Sequence, residues 1–207
     1  MRILFVFLAL ISFNTNILSQ NNQSSIHLRA ITSVSGGEYF IDILPFNDSI
    51  KLIFRVKKSI KQSKLDKDTN IIRIIETLKS VKKFGPNNDT VKTYLSKLDS
   101  LNSIYTIYET DSLLISNSKN EAYLELVHEV LNTKAEILEN KNNNRLVLDG
   151  VTMIFKLINN GISKTVYVRS PTLISNPLLY KLVTETTALY RLNKKNNFLK
   201  KSRTSGY

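Results

Sequence analysis

Two blocks of alternating residues, one near each end of the chain, constrain what this sequence can fold into. From Ser25 to Val34 the pattern runs through Ile26, Leu28, Ala30 and Thr32, and from Glu38 to Pro45 through Tyr39, Ile41 and Ile43. Between Ile50 and Lys57 the apolar Ile50, Leu52, Phe54 and Val56 alternate with Lys51, Arg55 and Lys57. Turn signals separate these runs at Ser35-Gly36-Gly37 and Asn47-Asp48. Period 2 between short turns predicts an antiparallel meander with one buried face. The second block repeats the theme over Arg145–Leu148, Val151–Ile158 and Ser163–Arg169, with turns at Asp149-Gly150 and Asn159-Asn160-Gly161.

Between the blocks the period changes to that of a helix. Asp68 or Thr69 opens a helix through Lys83 with Ile71, Ile72, Ile75, Leu78 and Val81 as its stripe, ended by Gly85-Pro86. A second helix starts at Asp89 and carries Val91, Tyr94, Leu95, Leu98 and Leu101. Residues 103–115 suit helix or strand; the reading is helix through about Glu109, with an extended segment over Leu113–Ile115. Ser118 and Glu121 match a capping box for a helix burying Tyr123, Leu124, Val127, Val130 and Leu131. Lys141–Asn144 reads as a loop, and Asn176-Pro177 opens a last helix with Leu178, Leu179, Leu182, Val183, Leu189 and Leu192 inward. Strands, helices, strands, helix is an α+β order: one antiparallel sheet from N-terminal and C-terminal strands, with helices packed on one face.

The start of the chain bears on where it works. Arg2 precedes an apolar run, Ile3–Ile11, a polar stretch and then Ile17-Leu18-Ser19-Gln20. That is the layout of a secretory signal peptide, with cleavage expected near Ser19 or Gln20 and release into a periplasm or medium. The run is too short to span a bilayer, and no later stretch is longer. The expected organisation is a leader over 1–20, one α+β domain over 21–192 and a basic, partly disordered tail over 193–207.

Charge is high and uneven. The chain carries 29 Lys and Arg against 17 Asp and Glu, a net of +12. Residues 51–83 hold eleven basic residues against Asp66, Asp68 and Glu76, and residues 181–203 hold seven against Glu185, while 84–145 are net acidic. Such a surface attracts anionic ligands, and it also simply keeps a protein dissolved. The tyrosines of the acidic middle, Tyr105, Tyr108 and Tyr123, do not coincide with the basic runs, which argues against nucleic acid as a partner.

Motifs for chemistry are few. There is no cysteine, so thiol catalysis and thiolate metal sites are excluded. No glycine-rich phosphate loop or GxSxG elbow is present, and no cofactor is expected. Asp66-Lys67-Asp68-Thr69-Asn70 begins like a calcium loop, but Ile71 stands where the turn needs glycine. His27 and His128 have no metal-ligand neighbours in sequence and read as structural. The most suggestive group is Arg169, Ser170 and Thr172 ahead of the helix start at Asn176. A strand-end arginine facing free helix N–H groups makes a small anion site. The competing reading is a stiff strand-to-helix connection in which Ser170 and Thr172 bond local backbone.

The segment LDGVTMIFKLINNG…YVRSPTLISNPLLYKLV is similar to a type of uncharacterised exported protein of Bacteroidota. The leader, the Asn/Ile/Lys bias and the lack of cysteine agree with that. The resemblance implies export but no activity, and it carries over no functional residues. The functional expectation is a non-enzymatic exported domain that binds a protein partner or an anionic ligand of the cell envelope. The alternatives are an envelope hydrolase whose site assembles only in three dimensions, or an inhibitor or immunity-type protein.

Overall fold

The computed structural model describes residues 24–33, 36–81, 88–140, 147, 150–204 and 206–207. The leader, Gly85-Pro86 and the Lys141–Asn144 loop lie outside the described residues, as does all but Val147 of Arg145–Leu148. The fold is α+β. Six strands form one sheet: β1 Ser25–Thr32, β2 Glu38–Pro45, β3 Ser49–Ile60, β4 Thr106–Ser116, β5 Val151–Asn159 and β6 Ile162–Arg169. Their order is β4-β3-β2-β1-β5-β6. The helices are α1 Gln62–Leu65, α2 Thr69–Val81, α3 Asp89–Tyr105, α4 Glu121–Asn132, α5 Ala135–Glu139 and α6 Pro177–Asn193. Among the described residues, no helix is long and apolar enough to cross a membrane.

The described residues divide into two compact units, one drawn from those up to Val56 and from Thr110 onward, the other from Lys57 to Glu109. The first unit holds the main core. Alternation puts Ile26, Leu28 and Ala30 of β1, Tyr39, Ile41 and Ile43 of β2, and Leu52 and Phe54 of β3 on one face. Met153, Phe155 and Leu157 of β5 and Val166 and Val168 of β6 extend that face. Helices α4 and α6 cover it. Tyr190 of α6 meets Phe54 edge-on, ring centroids 4.7 Å apart, and its hydroxyl donates to Asp111 at 2.5 Å. Burial and that carboxylate push the Tyr190 phenol up to about 12. Tyr123 of α4 pairs its hydroxyl with that of Thr186 on α6 at 2.7 Å, joining two buried polar groups within the core.

The helices depart from the sequence reading in instructive places. On α6 the buried stripe is Leu179, Leu182, Val183, Thr186, Thr187 and Tyr190, whereas Leu192 is exposed. Thr186 and Thr187 are sheltered because each hydroxyl donates to a carbonyl one turn back, Leu182 and Val183 respectively, which removes the cost of burying them. On α4 Leu126 is buried and Leu124 only half-buried. The capping box is not formed: Asn120 occupies the cap position, and Ser118 bonds Ser116 instead. The segment after α3 is strand from Thr106 onward rather than helix to Glu109. Its β-branched and aromatic residues, Thr106, Ile107 and Tyr108, add to the sheet edge beside β3. Residues of the basic tail pack as well: Leu199 and Thr204 are buried, and Lys201–Arg203 make a 3₁₀ turn.

The second unit is built differently. Asp68 caps α2 by accepting from the Asn70 and Ile71 N–H groups, and Tyr105 donates to its other oxygen at 2.6 Å. These bonds hold the Asp68 carboxyl below the usual carboxylate range, the Tyr105 bond most. Lys58 and Glu109 pair at 3.1 Å between the strand segments that enter and leave the unit. Its core is small. Ile71, Ile74 and Val91 are buried, while Ile72, Ile75 and Leu95, expected inward, are exposed. Ile71 and Ile74 lie three apart on one face, and that narrow stripe is all that a pair of helices needs to touch.

Candidate functional site

The Arg169–Asn176 connection is held together by its own polar groups. Ser170 sits in the left-handed region at φ 46°. Its N–H donates to the Val151 carbonyl at 2.8 Å, and its hydroxyl accepts from the Val151 N–H at 3.0 Å. Gly150 makes room for this: a Cβ there would stand 2.2 Å from the Ser170 Oγ. Thr172 and Ser175 bond each other, side chain to backbone in both directions at 3.0 Å. Asn176 occupies the N-cap position of α6, yet its side chain does not cap the helix. It donates instead to the carbonyls of Leu138 and Glu139, at 2.8 and 3.1 Å, at the end of α5. Arg169 is exposed at the end of β6. Three of the four residues read as an anion site thus have main-chain partners: Thr172 within the connection, Ser170 on β5 and Asn176 at the end of α5.

This use of Asn176 has a measurable consequence. Asn176→Ala leaves two carbonyls at a buried helix end without their donor, so it should cost about 1–3 kcal/mol. Thermal melting with urea titration reads it. A loss below about 0.5 kcal/mol would mean that these carbonyls do not depend on Asn176.

A different constellation appears on the open face of the sheet, opposite the helices. The register fixes it. Arg29 of β1 lies opposite Phe40 of β2 on one side and Ile154 of β5 on the other. Phe40 in turn faces Arg55 of β3, and Ile154 faces Tyr167 of β6. One cross-strand row therefore reads Arg55, Phe40, Arg29, Ile154, Tyr167. Both guanidinium groups lie over the Phe40 ring, Arg55 at 4.7 Å and Arg29 at 5.9 Å from its centroid. The neighbouring row places Asp42, His27 and Lys156 side by side.

Ion pairs and hydrogen bonds order these groups. Arg29 bonds Glu38 at 2.5 Å. Asp42 divides its carboxylate, one oxygen to His27 Nδ1 at 2.9 Å and the other to Arg55 at 3.3 Å. His27 Nε2 lies 3.1 Å from the Ser25 hydroxyl, two residues back on the same strand face. Tyr167, Lys156 and Arg169 are exposed at the β5–β6 side. Across β1, β2, β3, β5 and β6 this face presents Arg29, Lys51, Arg55, Lys156 and Arg169 against Glu38 and Asp42, an excess of positive charge on a partly aromatic floor.

In sequence His27 reads as structural and Lys51 and Arg55 only as polar partners of a strand, because the apolar half of each alternation carries the strand signal. The signal was in the other half. Once the strands are assigned, His27 and Arg29, Phe40 and Asp42, Arg55, Lys156 and Tyr167 share one face by parity alone. Only the strand order was missing, and sequence does not give it.

A second concavity lies between α2 and α3 in the other unit. It is a groove of about 690 Å³ lined by Arg73, Ile74, Tyr94 and Lys97 among others. Its polar edge is loosely built: Lys97 stacks on Tyr94 at 5.4 Å, and Arg73 donates to Asn70 at 3.2 Å.

Compared with family models, curated proteins and solved structures, the chain matches none of them.

Proposed function

We propose that this protein is an exported binding domain whose open sheet face receives an anionic partner of the cell envelope. The observation that carries this reading is the row Arg55–Phe40–Arg29–Ile154–Tyr167. It sets cations and rings on a rigid five-strand surface. Stacking on Phe40 and pairing with Glu38 and Asp42 hold the two guanidinium groups in place, so little side-chain entropy remains to be lost on binding. The excess of cations over acids supplies attraction. The leader-like start of the chain supports an address outside the cytoplasm.

The test uses fluorescent dextran sulfate as a polyanion and uncharged dextran as its control. Affinity for the sulfated polymer should fall steeply with salt, because screening weakens exposed charges. The double variant Arg29→Ala/Arg55→Ala should bind about tenfold more weakly, roughly 1.4 kcal/mol. Lys64→Ala/Lys67→Ala removes the same net charge from the other unit and should change affinity little. Equal losses in both pairs would mean that total charge, not this face, binds the polymer, and the reading would fail. A salt-resistant protein captured through the same face would replace the anionic partner with a protein one.

A further inference from the structure

The chain Ser25–His27–Asp42 has a geometry that binding alone does not call for. Its atoms are those of a nucleophile, a base and an orienting acid. Ser25 Oγ is 3.1 Å from His27 Nε2, and His27 Nδ1 is 2.9 Å from Asp42 Oδ1. The carboxylate can only accept, so the neutral imidazole places its proton on Nδ1. Nε2 is then a bare acceptor, and the Ser25 hydroxyl donates to it. Ser25 is 7% exposed, and the His27 side chain is the open member at 41%. Arg55 holds the second Asp42 oxygen at 3.3 Å, which stops the carboxylate from rotating away from His27.

We propose that Ser25 is a nucleophile, that His27 is its base and Asp42 a positioning residue, and that the chain transfers acyl groups from small carboxylic esters. Ser25 Oγ forms a bond to the ester carbonyl carbon while its proton passes to His27 Nε2. The carbon–oxygen bond to the leaving group breaks, and that oxygen takes the proton from His27. Water then gives a proton to the same nitrogen and bonds to the acyl carbon; the bond from that carbon to Ser25 Oγ breaks, the acid leaves, and Oγ takes the proton back from His27. Ser25 lies opposite Ile158 in the register, which gives a short acyl chain an apolar neighbour. β1 runs between β2 and β5, so from Ile26 to Ile31 its backbone N–H groups belong to the two ladders and none of these is left to receive an oxyanion. Lys156, opposite His27 on the same face, is the cation placed nearest in register to take that charge. A site without a built oxyanion hole loses about a hundredfold or more in rate. Both half-reactions are slowed, and with release by water the slower of the two the acyl group stays on Ser25, so the activity is seen best as a single burst.

The experiment is a burst assay with 4-nitrophenyl acetate on the whole chain, followed by peptide mass mapping. One equivalent of 4-nitrophenolate and one acetyl group on Ser25 are expected. Ser25→Ala should abolish that burst. His27→Ala should slow it by about a hundredfold or more, and added imidazole should restore part of it, which a structural histidine would not show. His27→Gln serves if the alanine variant melts early. Asp42→Asn should slow acylation at unchanged melting temperature and remove the far-downfield Nδ1 proton resonance of His27. Acetyl groups spread over lysines and tyrosines at the same rate in Ser25→Ala would overturn the proposal. So would acetylation of Ser25 at an undiminished rate in both histidine variants.

Discussion

Phe155→Ala should lower the melting temperature by about 6–20 °C. Phe155 is fully buried at the middle of β5, with Leu28 of β1 opposite on one side and Val166 of β6 on the other. Removing a ring from such a position costs about 3–5 kcal/mol, because the lost burial is joined by a cavity that the two neighbouring strands cannot close. The total stability of a domain is about 5–15 kcal/mol, so a large share disappears at once. Circular dichroism melts and urea midpoints read the effect. A fall of under about 3 °C would mean that the three-strand layer is not the part of the core that limits stability.

Arg191→Ala should release the C-terminal segment from α6. Arg191 gathers that segment: Nε donates to the Leu199 carbonyl at 2.7 Å, and one terminal nitrogen donates to Thr204 Oγ1 at 2.8 Å and to the Tyr207 carbonyl. Burial lowers the Arg191 pKa, and these acceptors offset part of what the guanidinium loses on leaving water. Hydrogen bonds to a charged group are worth about 1.5–3 kcal/mol each in the strongest cases, and several are lost together. Amide exchange over residues 194–204 should rise by more than tenfold in the variant. Lysine should not restore protection, since one ammonium cannot serve Leu199, Thr204 and Tyr207 in the planar fork that arginine offers. Unchanged exchange would assign the segment's packing to Leu199 and Phe198 alone.

How much of this was legible in the sequence depends on which side of each alternation is considered. The apolar parity of Ile26/Leu28/Ala30 or Met153/Phe155/Leu157 was enough for strands, their faces and the α+β class. Boundaries were legible where a turn residue marked them, as at Asn160-Gly161, where both residues take positive φ. They were not legible where two periods overlap, as in Ile104–Tyr108, because the sheet edge decided the matter through β3, a partner more than forty residues earlier. The helix faces of α2 failed for a related reason: with six apolar residues around a helix, the partner chooses which two are buried, and one of them, Ile74, lay outside the expected stripe. Among candidate sites, the Arg169–Asn176 connection was visible as a cluster in sequence, but the hydrogen bonds that occupy it come from Leu138, Glu139 and Val151. The Ser25–His27–Asp42 chain was invisible, since Asp42 reaches His27 only through strand pairing.

The central place of β1 also sets a timetable. Its partner β2 follows within a few residues, but its other partner, β5, begins at Val151. A chain emerging in order can close the β1–β2–β3 meander early, and β1 then waits as a bare edge while the chain from Ile60 to Val151 is made. Edges of that kind recruit foreign strands, and pairings so distant in sequence form slowly. The closing event is the docking of the β5–β6 hairpin, and it does two things at once. It hides the vulnerable edge, and it brings Lys156 beside His27. The face that carries Arg29, Arg55 and Lys156 is therefore completed by the same step that covers the edge. A chain stopped before Val151 would keep that edge bare and leave His27 without Lys156 beside it.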